Sequence, residues 1–250
     1  MLALIDAGIV CHRIGFTTED EEFYIARARC NEMIEGILAD VGAKEFQLWL
    51  SDSLENNFRY EICKDYKANR FGKPKPKHHE DIKAHMIKAW GARISYGQEA
   101  DDSLGITQVI YNNLLDNPEY GGDLSVICSI DKDLQQIPGN HYNFVRKERT
   151  FVLSEEGLRY FYSQLLIGDS GDNINGCRGI GVVKAGKVLA ELRDEESLFQ
   201  AVVECYRKQH RELTEEQILH RILLAGQLLK IRTIEGEIWK LPETKHNNNP

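Results

Sequence analysis

The chain has 250 residues, a hydrophobic fraction of 42% and a formal net charge of −8. These values fit one large domain, or a catalytic domain with a helical appendage, that buries a substantial core. No stretch approaches the roughly 18–20 apolar residues of a membrane-spanning helix, which excludes a membrane partner. The six cysteines are scattered without a CxxC pair, which argues against a zinc site and favours reduced, packed thiols and a cytoplasmic location.

Positive charge is concentrated in one segment of this acidic chain. Between Lys64 and Arg93 lie nine lysine and arginine residues and only three acidic residues. Contacts with the phosphates of a nucleic acid need such cations. Taken alone, the segment has an alternative interpretation as a solvated, flexible loop.

In chain order, the first half of the sequence alternates short apolar runs with helical periodicity. Three runs read as strands buried on both faces: Leu2–Ile5, Phe46–Leu50 and Leu124–Ile130. Helical patterns cover about residues 20–41 and 99–115, and the basic segment becomes helical from about His79 onward. Strands that alternate with helices predict a parallel α/β sheet.

The second half of the sequence is helical in character beyond about Ser154. Four stretches carry apolar residues at helical spacing: Glu155–Ile167, Lys184–Arg193, Glu196–Gln209 and Thr214–Leu229. Glycine-rich turns interrupt them, most densely over Gly168–Gly186. The polar tail over residues 245–250 is predicted to be disordered.

An acidic residue follows each of the three predicted strands. Asp6 closes the first, Asp52 follows the second, and Asp131 and Asp133 follow the third. Because the carboxyl ends of parallel strands lie along one edge of a sheet, these side chains are expected to meet there. Taken singly, each has a structural alternative as a turn residue or a helix cap.

Two other motifs add further carboxylates. Glu99, Asp101 and Asp102 fall in the first turn of a predicted helix, and Asp169 and Asp172 lie in a glycine-containing loop. Converging carboxylates repel unless cations neutralise them, and oxygen ligands without His or Cys favour Mg²⁺ or Mn²⁺ over zinc. Two such ions roughly 3.5–4 Å apart form a site that hydrolyses phosphodiesters. The basic segment would bind the phosphates of that substrate.

These acidic and basic motifs follow one another in a fixed order along residues 1–195. They are Asp6, Phe58-Arg59, Asp65-Tyr66-Lys67-Ala-Asn-Arg70, Glu99-Ala-Asp101-Asp102, Ser129-Ile-Asp131-Lys-Asp133 and Gly168-Asp169-Ser-Gly-Asp172-Asn. The ordered set resembles the 5′-nuclease or flap-endonuclease family, above all bacteriophage 5′→3′ exonucleases and the 5′-nuclease domain of bacterial DNA polymerase I. The resemblance implies a PIN-like parallel sheet flanked by helices over residues 1–153, with a basic arch over 57–98. It also implies a helical region over 154–244 that contains a helix-three-turn-helix element near 168–195.

The resemblance implies a role for each carboxylate. Asp6, Asp52, Glu99 and Asp101 would hold a first Mg²⁺ ion, for which Mn²⁺ can substitute. Asp131, Asp133, Asp169 and Asp172 would form the second site, and Asp102 would lie near both. The resemblance also implies that Asp6, Glu99 and Asp131 are catalytic residues.

The resemblance also implies which residues contact DNA. In the family, a lysine and an arginine at the start of the arch touch the scissile phosphate, and here these are Lys67 and Arg70. Tyr66 either stacks on a base or packs in the core. Further DNA contacts are implied for Arg59, Lys73, Lys75, Lys77, Gly179, Gly181, Lys184 and Lys187. Family members hold K⁺ at the element that Gly179–Lys187 resembles, so K⁺ is a candidate additional ion.

The function that follows is metal-dependent 5′→3′ exonuclease and structure-specific flap endonuclease activity on DNA. The implied partners are DNA with 5′ ends, flaps or nicks and RNA–DNA hybrids, bound by a monomeric enzyme in the cytoplasm, or in the host cytoplasm if a phage encodes it. One alternative is a PIN-type ribonuclease that cuts single-stranded RNA. The other is a non-catalytic protein that binds branched DNA.

Overall fold

The computed structural model describes residues 1–114 and 124–243. The disorder predicted for residues 245–250 therefore falls outside the described residues. So do the last residue of the helical region placed at 154–244 and the last residue of the helix placed at about 99–115.

A mostly parallel sheet forms the first half of the molecule. Its strands within the described residues are β1 (Leu2–Asp6), β2 (Glu45–Ser51), β3 (Arg93–Ser95), β4 (Ser125–Cys128), β5 (Gly139–Asn143) and β6 (Glu148–Val152). They lie in the order β3-β2-β1-β4-β5-β6, and only β6 runs antiparallel to its neighbour. The predicted α/β class and parallel sheet are confirmed, and β1 lies in the interior of the sheet, so Asp6 sits at the middle of the carboxyl edge.

The three predicted strands differ in how deeply they are buried. Every residue of β1 and β4 is buried, as expected for strands covered on both faces. The same prediction is wrong for β2, whose Phe46 is 38% exposed. The reason is that β3 pairs only with Trp49–Ser51, so the first half of β2 is an edge strand.

Helices cover both faces of the sheet. In chain order they are α1 (Ala7–Thr17), α2 (Phe23–Val41), α3 (Phe58–Ile62), α4 (His79–Trp90), α5 (Ala100–Leu114), α6 (Ser154–Ile167), α7 (Val182–Leu189), α8 (Glu195–Gln209) and α9 (Glu215–Leu229). Alternate residues of β1 point to opposite faces. Ile5 therefore joins the core under α1, α2 and α4, and Leu4 joins a separate core that includes Leu104 of α5.

The helical second half has its own core, formed by α6, α7, α8 and α9. Tyr66 from the basic segment packs into this core. A short antiparallel pair, β7 (Gly168–Asp169) and β8 (Ile174–Asn175), connects α6 to the following loop. Gly168 has a φ of +74°, and a Cβ there would lie 2.3 Å from the amide nitrogen of Gly176, so only glycine fits this turn. Among the described residues, no helix combines the length and apolar character needed to cross a membrane.

Candidate active site

Asp6 is fixed at the carboxyl edge of the sheet by bonds from two elements. Its Oδ1 accepts a hydrogen bond from the amide of Ile9 at 3.1 Å, which caps α1, and its Oδ2 accepts one from Ser129 Oγ at 3.0 Å. The amide of Asp131 donates to the same Ser129 hydroxyl at 3.0 Å. Ser129 therefore joins Asp6 and Asp131 across the ends of β1 and β4.

The start of α5 brings two further carboxylates to this edge. Glu99 Oε1 accepts hydrogen bonds from Asn57 Nδ2 at 3.1 Å and from Tyr66 Oη at 3.2 Å. Asp101 is half-buried, and no hydrogen-bond donor among residues 1–114 and 124–243 reaches its carboxylate. Its oxygens are therefore available to an external cation.

The remaining carboxylates come from the loop after β4 and from the turn between β7 and β8. Asp133 Oδ1 accepts a hydrogen bond from Gln164 Nε2 of α6 at 2.9 Å. Asp169 Oδ1 accepts one from the amide of Gly171 at 2.7 Å, and Asp172 Oδ2 accepts one from Tyr66 Oη at 3.1 Å. These contacts orient the second group of acidic side chains predicted from the sequence.

Burial and mutual repulsion raise the pKa values of several of these carboxyl groups. The pKa of Asp6 rises to about 6, first because of burial and also because of the charge of Asp131. The pKa of Asp101 lies well above its usual range because of burial and the charges of Asp6 and Asp131. Burial, followed by the charges of Asp131 and Asp169, raises the pKa of Asp133 to about 7. The carboxylates thus form one electrostatically linked cluster that favours uptake of protons or cations.

The donor chemistry of this cluster fits hard divalent cations. The acidic side chains of the cluster offer carboxylate oxygens, the ligand type that Mg²⁺ and Mn²⁺ prefer. Among the described residues, no three His, Cys, Asp or Glu side chains are arranged so as to enclose an ion. Lysine and arginine side chains of the protein neutralise part of the cluster instead.

Lys67 and Arg70 bring these positive charges from the basic segment. Lys67 Nζ pairs with Glu99 and lies 3.6 Å from Asp172, and Arg70 also pairs with Asp172. Burial alone would raise the pKa of Glu99, but Lys67 and Arg59 outweigh it and hold that pKa below its ordinary value. The two residues predicted to touch the scissile phosphate therefore face the carboxylates.

The structure corrects the roles predicted for Asp102 and Arg59. Arg59 is 2% exposed, and its terminal nitrogens pair with both oxygens of Asp102 at 2.6 and 2.8 Å. The amides of Glu99 and Arg232 also donate to Asp102, at 3.1 and 2.9 Å. The prediction that Arg59 contacts DNA is wrong because its guanidinium is buried, and Asp102 is a structural partner of Arg59 rather than a metal ligand.

The structure decides between the two interpretations of Tyr66 and shows which groups bind Asp52. The Tyr66 side chain is 1% exposed, so of the two interpretations left open, packing is correct and base stacking is wrong. Asp52 lies at the end of β2 as expected, but its oxygens accept hydrogen bonds from the amides of Ser53 at 2.7 Å and Gly97 at 3.0 Å. The bond from Gly97 is the main reason that its pKa is lowered. Asp52 therefore closes the turn after β2, and its role as a metal ligand remains a prediction.

The other predicted DNA-contact residues lie at the surface. Lys73, Lys75 and Lys77 are exposed, as are Gly179, Gly181, Lys184 and Lys187. Gly181 directly precedes α7, and Lys184 Nζ donates to the carbonyl of Gly179 at 2.8 Å. Their DNA contacts, and the bound K⁺, remain predictions.

Sequence reasoning missed several residues that organise the site. Ser129 belongs to the Ser129-Ile-Asp131-Lys-Asp133 motif. Its position two residues before Asp131 could have indicated that its hydroxyl group contacts the site. Asn57 and Gln164 gave no local signal, because each reaches its carboxylate across 42 and 31 residues of sequence, respectively.

Comparison with known proteins relates the chain to nucleases. No family model matches it. It is 28% identical over 164 residues to a 5′-3′ exonuclease of Buchnera aphidicola, covering 60% of this chain and 54% of that protein. It is 27% identical over 193 residues to flap endonuclease Xni of Shewanella baltica, covering 73% and 70%. The chain thus spans only about half the length of the Buchnera relative.

Among solved structures, the bacteriophage T5 D15 flap endonuclease in complex with DNA and metal ions superposes with a TM-score of 0.62. The match has 15% sequence identity and covers 90% of this chain and 88% of that one. The mostly parallel sheet with acidic side chains at its carboxyl edge, followed by a helical region, is an α/β fold similar to that of the T5 flap endonuclease. In sequence and in fold the chain is therefore similar to 5′-3′ exonucleases and flap endonucleases.

Proposed function

We propose that this protein is a divalent-metal-dependent 5′-nuclease that hydrolyses phosphodiesters of DNA at 5′ ends and flaps. One observation carries the proposal: carboxylates from separate elements converge on one sheet edge, and Lys67 and Arg70 of the basic segment face them. The acidic side would hold cations, and the basic side would hold the phosphate of the substrate.

The side chains divide between two metal positions. Asp6, Asp52, Glu99 and Asp101 would hold the first ion, and Asp131, Asp133, Asp169 and Asp172 the second. Asp131 raises the pKa values of both Asp101 and Asp133, so its charge acts on both groups. When bound, two Mg²⁺ or Mn²⁺ ions would supply activation of the attacking water and charge stabilisation at the scissile phosphate.

The protein's own cations would orient the substrate. Lys67 and Arg70 would exchange their carboxylate partners for oxygens of the scissile phosphate, because both are fixed beside the cluster. The Gly179–Lys187 stretch would bind the backbone of a duplex through its amides and lysines, with K⁺ as a candidate ion. We also propose action on RNA–DNA hybrids and a monomeric enzyme.

The first test uses a duplex with a 5′ flap and a plain duplex with a 5′ end, each labelled at the 3′ end of the cleaved strand. Each substrate is incubated with Mg²⁺ and with EDTA. Asp131→Ala and Asp169→Ala are compared with the unmodified protein, and Asp81→Ala serves as a control because Asp81 is exposed on α4. We expect cleavage that needs Mg²⁺, is abolished in the first two variants, and is retained in the control.

The outcomes separate the alternatives. DNA binding that persists in Asp131→Ala while cleavage is lost supports the assigned role. Binding of both substrates without cleavage by the unmodified protein contradicts the DNA nuclease. A single-stranded RNA substrate then distinguishes a PIN-type ribonuclease from a non-catalytic protein that binds branched DNA.

A further inference from the structure

The base of the basic segment is hydrogen-bonded to the loop that carries Asp169 and Asp172. Two of the bonds involve the main chain or a guanidinium: the amide of Lys67 donates to the carbonyl of Asp172 at 3.0 Å, and Arg70 Nε donates to that of Gly171 at 3.1 Å. We call the contact between residues 65–70 and 169–173 the arch–loop junction.

Two asparagine side chains complete the junction in a reciprocal way. Asn69 Nδ2 donates to the carbonyl of Ser170 at 2.7 Å, from the basic segment to the loop. Asn173 Nδ2 donates to the carbonyl of Asp65 at 2.9 Å, from the loop back to the basic segment. Each asparagine therefore satisfies a main-chain acceptor of the opposite segment.

The backbone at this junction adopts a conformation that side chains rarely favour. Lys67 has a φ of 56° and Asn173 a φ of 61°. A non-glycine residue holds such a left-handed conformation only where the surrounding contacts enforce it, although asparagine tolerates it better than most. At Lys67 this conformation lets the amide bond the carbonyl of Asp172 while the ammonium group reaches Glu99.

We propose that Asn69 and Asn173 are positioning residues that set the distance between the phosphate-contacting cations, Lys67 and Arg70, and the carboxylate cluster. The inference rests on the proposed nuclease function. Both asparagines are exposed, and their side-chain hydrogen bonds go to backbone carbonyls rather than to carboxylates. They act through the geometry of the junction. A displacement of about 1 Å between reacting groups costs roughly 10²-fold in rate, so a looser junction slows the reaction without removing any group that binds substrate.

Two substitutions remove one side-chain bond each. Asn69→Ala removes the bond to Ser170, and Asn173→Gly removes the bond to Asp65 while providing a residue suited to φ of about 60°. Asn175→Ala is the matched control, because Asn175 is an exposed asparagine of the adjacent strand β8. The measurement is single-turnover cleavage of a 3′-labelled 5′-flap duplex in Mg²⁺, with DNA affinity in EDTA and the thermal midpoint measured alongside.

We expect each substitution to slow single-turnover cleavage by roughly tenfold, and the pair by at most roughly 10²-fold. DNA affinity should stay within about twofold, and the control should cleave at the unmodified rate. Asn69→Asp, which keeps the shape but loses the donor, should be as slow as Asn69→Ala. If an alanine variant folds poorly, this isosteric variant answers the same question.

A double-mutant comparison separates positioning from general destabilisation. If Asn69 acts by placing Lys67 and Arg70, then adding Asn69→Ala to Lys67→Ala should cost less than the roughly tenfold loss expected in the unmodified protein, because coupled residues are non-additive. A lowered thermal midpoint with additive losses would indicate a merely structural role and overturn the inference. Unmodified rates in both asparagine variants would overturn it too, with the nuclease function intact. Absence of cleavage by the unmodified protein would instead remove the proposed function and the inference together.

Discussion

Lys67 is the side chain through which the basic segment meets the acidic cluster. It pairs with Glu99 and lies 3.6 Å from Asp172, two residues assigned here to different metal positions. The same ammonium group therefore competes with divalent cations for carboxylates and is placed to contact a phosphate. Its removal should slow cleavage without weakening metal binding.

The substitution Lys67→Ala tests this competition. Loss of a fixed positive charge near the scissile phosphate should slow single-turnover cleavage by roughly 10²-fold, by analogy with the loss of one group that stabilises a transition state. The affinity for Mg²⁺ or Mn²⁺, measured by calorimetric titration without DNA, should stay the same or increase. Lys88→Ala, at an exposed position of α4, is the control. Weaker metal binding together with full cleavage activity would contradict both roles.

At the residue scale, sequence reasoning located the cluster better than the partners within it. Asp6, Asp131 and Glu99 could be placed because parallel strands end along one edge. The pairing of Asp102 with Arg59 could not be predicted, because the two residues lie 43 positions apart. Burial of Arg59 and Tyr66 depends on α9 and the helical core, so the local sequence made both resemble surface residues that contact DNA.

At the element scale, the buried pair of Arg59 and Asp102 connects three parts of the chain. Arg59 lies on α3 and Asp102 in the first turn of α5. The remaining guanidinium donors of Arg59 reach the carbonyls of Leu228 at 2.9 Å and Lys230 at 2.8 Å, at the end of α9. The pair thus joins α3 and α5 to the end of α9, next to the site.

Asp102→Ala should strongly destabilise the protein, because it leaves the buried Arg59 charge without a partner. The expected loss is about 3–5 kcal/mol in the free energy of unfolding, measured by urea denaturation. Asp81→Ala, on the exposed face of α4, should change it by less than about 0.5 kcal/mol. The double variant Arg59→Met/Asp102→Leu should recover part of the loss, because it removes the unpaired charge but leaves main-chain partners of both side chains unsatisfied. A single variant as stable as the unmodified protein would refute the connecting role.

The same pair predicts how stability responds to acid. Burial favours the neutral form of Asp102, but the charge and hydrogen bonds of Arg59 outweigh it and hold the pKa of Asp102 below its ordinary value of 3.8. A lowered folded-state pKa contributes stability above the unfolded-state pKa, and this contribution is lost as the pH falls through the folded-state value. The contribution of the pair should therefore be constant at neutral pH and decline only below about pH 4. Urea denaturation of the unmodified protein and of Arg59→Met/Asp102→Leu at several pH values checks this, and a decline already at pH 6 would argue against it.

Elements with strong periodicity were predictable, whereas short or polar ones were not. The periodic helices α2, α5, α6, α8 and α9 were found within a few residues of their observed ends. Helix α1 was missed because it begins directly after β1, where Asp6 caps it without an intervening loop. Strand β3 has only three residues, and four of the five residues of β6 are exposed, so neither shows the apolar pattern of a buried strand.

At the scale of the whole molecule, charge is distributed so that one segment can attract nucleic acid. The stretch from Lys64 to Arg93 is basic, whereas the chain as a whole carries a net charge of −8. Lys73, Lys75 and Lys77 are exposed there, and the neighbouring Phe71 is 56% exposed. Repulsion from the acidic remainder would disfavour DNA bound elsewhere, so binding should be directed to this segment and to the adjoining site.

Neutralising Lys73, Lys75 and Lys77 tests whether the basic segment directs DNA binding. Each phosphate contact contributes roughly 0.7–0.9 to the slope of log affinity against log salt concentration, because binding releases condensed cations. The triple variant Lys73→Gln/Lys75→Gln/Lys77→Gln should therefore bind a 5′-flap duplex more weakly, with a slope reduced by about 2–3. Fluorescence anisotropy in EDTA, at salt concentrations between about 50 and 200 mM, measures the affinity and this slope. The control Lys208→Gln/Arg211→Gln/Lys240→Gln removes three exposed cations outside the segment and should leave the slope unchanged. Equal reductions of the slope in both triple variants would mean that DNA binding depends on the total charge of the protein. The basic segment would then not direct DNA binding.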